Sequence, residues 1–319
     1  MKIRRRLFCF VLLAFVFFPA LQASLSFAQG PVTYTAGVMT KSYDERRTKA
    51  LEKFEEIIGK YIEERAGFKI RLRALTYPDL VKALEKESVD FVWGYGLVVS
   101  MELSQKHHSI LPILTPTLGE DKRAFFKRLA VASKDAAPDL VDLKGFRGKR
   151  LAYVGGDEWS FELLVFKVWA AEKYGVRDIT QILTLKGRGR DPDEGFFIPG
   201  SKRGAIYSLF VNEADLALAH EFEYLTQEKL TPNAIRERAE VLPLVNSHEG
   251  FMEAPVFVRK GVNKQDIDRL IKAFMEMPND PEGKQILLSS KISGFVRVTD
   301  QNYQPVRALM TKKESLGIK

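Results

Sequence analysis

The stretch YVGGDEWSFELLVF, residues 153–166, joins a strand end to a Gly-Gly turn and then to the first turns of a helix. A helix mouth presents free N–H groups and the positive end of the macrodipole, so it draws anions or acidic side chains. Asp157 and Glu158 occupy this mouth, with Trp159 and Ser160 after them. Two readings stand side by side. In one, Asp157 caps the helix, a contribution of about 0.5–1 kcal/mol. In the other, the acids repel an anion and favour a cationic or neutral polar ligand, because like charges in a low-dielectric cleft are costly.

A second predicted helix mouth, IPGSKRGA, carries the opposite charge in Lys202 and Arg203. A guanidinium there suits bidentate recognition of a carboxylate or phosphate; solvent is the alternative destination of both side chains. Acids on one mouth and bases on another, facing one cleft, match a zwitterion such as an amino acid or aminophosphonate. Tyr77, Trp93, Tyr95 and Trp159 supply apolar walls or a cation–π face for an ammonium group, or else belong to the core.

Other chemistries find less support. KGRGRDPDEGF, residues 186–196, lacks the spacing and the Lys-Ser/Thr of a phosphate-binding P-loop. It reads as a charged lip loop whose Arg188 and Arg190 reach the cleft or solvent. HEFE at 220–223 lacks the second histidine of a zinc-hydrolase helix, and His107 and His108 read as dipole partners at a helix end. With no nucleophile–base set and no metal-ligand set, the chain is expected to be neither an enzyme nor a carrier of a cofactor or metal.

The elements that must position these residues alternate. VTYTAGVM reads as a strand, 43–65 as a helix with Leu51, Phe54, Ile58, Tyr61 and Ile62 on one face, then FKIRLRAL, YPDLVKALEKES, VDFVWGY and LVVSMELSQKHH as strand, helix, strand and helix. FFKRLAVASKD reads as one long strand leading into a polar loop. A second alternating unit follows: strand KRLAYV, helix 159–174, strand DITQILTL, helix 202–211, strand ADLALA and helix EFEYLTQEKL. Two extended runs around a loop then lead to three C-terminal helices, the first with Ile267, Leu270, Ile271 and Phe274 on one face. This pattern predicts an α/β fold with two mainly parallel sheets flanked by helices and a hinge of two extended crossings. The lobes are expected at 29–132 with 247–319, and at 133–246. Open α/β sheets bind ligands at the carboxyl ends of their strands, so two facing edges make a cleft.

Residues 1–28 have a basic start (Lys2, Arg4, Arg5, Arg6), an apolar run of about 15 residues and a small-residue ending, the layout of a cleaved secretory signal peptide. That run is shorter than the roughly 20 residues of a membrane-spanning helix. The single cysteine, Cys9, falls inside it, so the exported chain is expected to hold no disulfide, thiol catalyst or thiolate-bound metal. The formal charge of +8 includes those four basic residues. The remaining excess is interspersed along the chain and leaves no footprint for nucleic acid.

The C-terminal stretch DPEGKQILLSSKISGFVRVTDQNYQPVRAL, residues 280–309, resembles the end of the phosphonate, phosphite and phosphate substrate-binding proteins of ABC transporters. TYPDLVKALEKESVDFVW, DLKGFRGKRLAYV, GSKRGAIYSLFVNEADLAL and PVFVRKG follow the family order. The resemblance implies the two-lobed, type II-like periplasmic binding protein fold, a small-molecule ligand, a monomer, and delivery to an ABC transporter permease. A membrane sensor kinase is the alternative partner. Where the family grips phosphonate oxygens with Ser-Thr-Ser, this chain has Glu158, Trp159 and Ser160, so only Ser160 is retained. The first-lobe tyrosine pattern becomes Gly94-Tyr95-Gly96-Leu97-Val98-Val99, and a His-Asp pair becomes Lys202 and Arg203, while Tyr77 and Asp215 match. Tyr43, at the head of its helix, completes the expected contacts: Tyr43, Tyr77, Tyr95, Asp157, Glu158, Trp159, Ser160, Lys202, Arg203 and Asp215.

Overall fold

A computed structural model describes residues 31–39, 45–93, 96–154, 160–188, 204–242, 250–290 and 292–319. In chain order it runs β1 (Thr33–Met39), α1 (Glu45–Ala66), β2 (Lys69–Leu75), α2 (Tyr77–Glu85), β3 (Phe91–Trp93), α3 (Leu97–Lys106), β4 (Ile110–Thr117) and β5 (Phe125–Phe126). Next come β6 (Arg128–Ser133), α4 (Leu143–Phe146), β7 (Lys149–Val154), α5 (Phe161–Tyr174), β8 (Leu183–Arg188), α6 (Gly204–Phe210), β9 (Leu216–His220), α7 (Glu221–Leu230) and α8 (Pro232–Arg238). The chain returns through β10 (Ala239–Val241), β11 (Phe251–Met252) and β12 (Val256–Arg259), and closes with α9 (Lys264–Glu276), α10 (Pro281–Ser290), β13 (Gly294–Arg297) and α11 (Gln304–Ser315).

Among the described residues the strands form a six-stranded sheet, β13-β4-β12-β3-β1-β2, a five-stranded sheet, β10-β6-β9-β7-β8, and a two-stranded antiparallel ribbon of β5 and β11. We call the first sheet with its helices the first lobe and the second sheet with its helices the second. The sheets are mixed rather than mainly parallel. β3 runs parallel to β1, and β7 parallel to β8 and β9, while β12 and β13 in the first sheet and β6 in the second run against their neighbours. The cause lies in the ribbon: β6 and β12 each enter a lobe from it, so they begin at the edge where β9 and β3 end. Arg128 accordingly faces His220, and Phe257 faces Val92.

The expected lobe break between 132 and 133 falls inside β6, which lies wholly in the second sheet; the outgoing crossing is β5. FFKRLAVAS reads as one strand, yet its two ends pair with different partners. β4 escapes a sequence reading because Pro112 and Pro116 demote the run. Both fit in a central strand, opposite Phe257 and Phe295, beside a register shift at Val256 and Phe257.

Local sequence explains the elements next to the cleft edge. Gly37 lets β1 pass close under α2: a Cβ there would stand 2.9 Å from Leu80 Cδ1. Gly175 ends α5 at φ 70°, a left-handed cap that costs glycine nothing. Between those ends α5 is apolar almost all round, the signature of a helix buried on two sides. Leu163, Phe166 and Ala170 belong to the second-lobe core with Leu151 and Leu218. Phe161, Leu164, Val165, Val168 and Ala171 belong to a cluster with Leu97, Val98, Tyr303 and Val306 from the first lobe. α11 packs on α5, and Lys312 pairs with Glu172 at 2.6 Å. One apolar core therefore runs from lobe to lobe.

Candidate functional site

The carboxyl ends of β3 and β7, at Trp93 and Val154, belong to the strand edges that the β5–β11 ribbon joins, where an open α/β sheet takes its ligand. The helix following β7 is α5. Its N-cap is Ser160, whose Oγ accepts the Leu163 N–H at 3.3 Å. That fixes the start of the helix at Phe161, and the acid in its first turn is Glu162. Ser160 is only 4% exposed, and the cap uses its lone pair, leaving the O–H as a donor.

Glu162 does not project a bare charge from this mouth. Its carboxylate lies 3.1 Å from Nε of Arg128, a guanidinium 4% exposed at the start of β6. Arg128 Nη1 donates to the Phe126 carbonyl at 3.0 Å, Nη2 donates to Glu253 Oε1 at 3.3 Å, and the guanidinium covers the Phe161 ring at 5.0 Å. Phe161 meets Phe251 edge-on at 4.9 Å. His220 completes the cluster from the end of β9. Its Nδ1 accepts the Phe222 N–H at 3.1 Å, so Nε2 carries the ring proton and donates to Glu253 Oε1 at 2.6 Å. The ring serves as the N-cap of α7. Glu221 binds the outgoing crossing as well, accepting Lys127 N–H at 3.0 Å and Arg123 Nη1 at 3.3 Å.

Of the residues expected at the cleft, Tyr43, Tyr95, Asp157, Glu158, Trp159, Lys202 and Arg203 lie outside the described residues, as do Arg190 and His248. Tyr77 opens α2 behind its Thr76 cap and packs half-buried against the apolar cluster shared by the lobes. Burial, then the nearby Glu102 charge, raises its phenol above the ordinary range. Trp93 is 1% exposed and stacks edge-on with Phe274, a core position. Asp215 stands just before β9, at the amino end of that strand. It binds Arg150 there through Nε at 3.0 Å, Nη2 at 2.9 Å and the backbone N–H at 2.7 Å. The structure therefore does not bring Asp215 to the edge where Ser160 lies.

Arg128, Glu162, His220 and Glu253 were not expected as a group. One signal was available: alternation in β6 puts Arg128 on the face of Ala130 and Ala132, where a lone cation needs buried partners. Among the described residues no cluster of three or more His, Cys, Asp or Glu is arranged to hold a metal ion.

Comparison with known proteins adds a family and a fold. The family model described as ABC transporter, phosphonate, periplasmic substrate-binding protein matches residues 43–303. Among solved structures the chain is similar to a binding protein component of an ABC phosphonate transporter from Pseudomonas aeruginosa, at 15% identity over 90% of this chain and 88% of that one, TM-score 0.57. It is similar to PhnD1 from Prochlorococcus marinus MIT 9301 in complex with methylphosphonate, at 15% identity over 89% and 99%, TM-score 0.60. A third likeness is to a Xanthomonas citri protein bound to ATP, at 15% identity over 89% and 98%, TM-score 0.59. These structures show a shared fold, the two-lobed periplasmic binding protein fold. No curated protein sequence matches the chain significantly.

Proposed function

We propose, from the premise that the chain belongs to the periplasmic phosphonate substrate-binding proteins of ABC transporters, that it captures a small zwitterion between its lobes and delivers it to a membrane permease. The family consists of substrate-binding transport proteins, not enzymes, and membership implies the periplasm. The observation that carries the reading is the span of the match, 43–303, which takes in strands of both sheets and the ribbon joining them. Residues 1–28 fit a signal peptide removed on export, and among the described residues no helix is long and apolar enough to cross a membrane.

The ligand class follows from charge at the α5 mouth. Asp157 and Glu158 stand at this mouth in the sequence, with Ser160 the hydroxyl retained from the family pattern. An ionised carboxylate accepts hydrogen bonds and cannot donate to phosphonate oxygens. Acids at this mouth suit an ammonium group, and Lys202 and Arg203 suit the carboxylate or phosphonate at the ligand's other end. A thermal-shift panel tests this, since a ligand at about 100 times its dissociation constant adds about 2.7 kcal/mol of stability. Aminoalkylphosphonates or amino acids should raise the melting temperature; a rise with inorganic phosphate or methylphosphonate alone would contradict the zwitterion reading.

A further inference from the structure

The return crossing carries a residue bonded to both lobes. The Glu253 carbonyl accepts Thr115 Oγ1 at 2.9 Å and the Tyr303 hydroxyl at 3.0 Å, both from the first lobe. Its carboxylate accepts Arg128 Nη2 and His220 Nε2, both from the second. Two methylenes separate these attachments. Arg128 extends the connection to Glu162 in the first turn of α5 and to the Phe126 carbonyl on the outgoing crossing.

The apolar packing of α5 against α11 holds the lobes together without fixing their angle, because burial of apolar surface is non-directional. Charge-assisted hydrogen bonds are short and directional, and breaking a buried one leaves a charge uncompensated. A swing of one lobe against the other must therefore turn the Glu253 side chain about its own torsions or break one of its attachments. Domain closure is ordinarily absorbed by a few hinge residues, and here the hinge residue is itself tethered at both ends.

We propose that Glu253, with Arg128 as its partner, is a positioning residue that fixes the resting angle between the lobes and so sets ligand affinity without touching the ligand. This rests on reading the chain as a two-lobed capture protein, but its test needs no ligand, so the two can fail separately. In the full chain carrying Cys9→Ser, nitroxide labels on Lys53→Cys in α1 and Glu237→Cys in α8 report the interlobe distance by double electron–electron resonance. The parent should give one narrow distance distribution. Glu253→Ala removes the carboxylate and releases the second-lobe end, and Thr115→Val with Tyr303→Phe releases the first-lobe end; each should replace the narrow peak with a broad one. The three changes together should broaden it no further than the broader of the two sets, because neither end restrains once the other is free. If Glu253→Ala fails to fold, judged by circular dichroism, the Thr115 and Tyr303 pair carries the test. A purely structural role would lower the melting temperatures additively and leave the peak narrow. That result, or broadening that adds across the two ends, overturns the proposal.

Discussion

Asp215 holds Arg150 through both carboxylate oxygens, joining the amino ends of β9 and β7 with guanidinium bonds of 2.9 and 3.0 Å and a backbone bond of 2.7 Å. The Arg150 hydrogen bonds hold the Asp215 carboxyl below the ordinary carboxylate range. A depressed folded-state pKa contributes stability above the unfolded-state value, and that contribution disappears as pH falls through the folded value. Arg150 is 38% exposed, so solvent screens the pair and Asp215→Asn should cost about 1 kcal/mol. Chemical denaturation should show this loss at pH 7 and a smaller one in acid. Ligand affinity should be unchanged; a large loss of affinity would return Asp215 to the binding site.

Ser160→Ala removes the oxygen that caps α5, and at a buried N-cap it should cost about 1 kcal/mol. Ser160→Gly should cost only a few tenths. Equal losses for the two variants in urea titrations would show that the cap bond carries little.

Leu164 lies in the apolar cluster shared by both lobes and is 6% exposed. Leu164→Ala should destabilise by about 2–5 kcal/mol. Because the core is shared, the whole chain should still unfold in one calorimetric transition. Two separated transitions, with the loss confined to one of them, would show that the lobes are independent.

Tyr34 and Tyr61 are each pushed up to about 12, chiefly by burial and then by Asp266 for Tyr34 and the Asp280 charge for Tyr61. A raised folded-state pKa means stability that is complete below the unfolded value and lost as pH rises through the folded one. Ultraviolet titration should find both phenols silent at pH 10.5, with ionisation accompanying alkaline unfolding. Replacing each with Phe identifies the two signals, and ionisation of either near pH 10 in the folded protein would contradict its burial.

The fold was legible where periodicity was strong: α1 and α9 follow their apolar spacing closely. β4 was hidden by two prolines whose tolerance depends on neighbouring strands, and β13 is only four residues long. Sheet direction eluded the sequence because alternation of strand and helix does not reveal that β6 and β12 enter from a hinge. Ser160, expected as a ligand contact from the family resemblance, is observed as the N-cap of α5. Arg128, Glu162, His220 and Glu253 come from four separate stretches, and only folding shows that each is the others' partner.

Isothermal calorimetry with 2-aminoethylphosphonate and methylphosphonate, on the parent chain and on Glu158→Ser with Trp159→Thr, tests the central claim most directly. The parent should bind the aminophosphonate at one site per chain and methylphosphonate weakly or not at all. The double change restores two hydroxyl donors and removes a negative charge, so it should strengthen methylphosphonate binding and weaken the aminophosphonate. Tight binding of methylphosphonate by the parent, unaffected by the double change, would contradict the account.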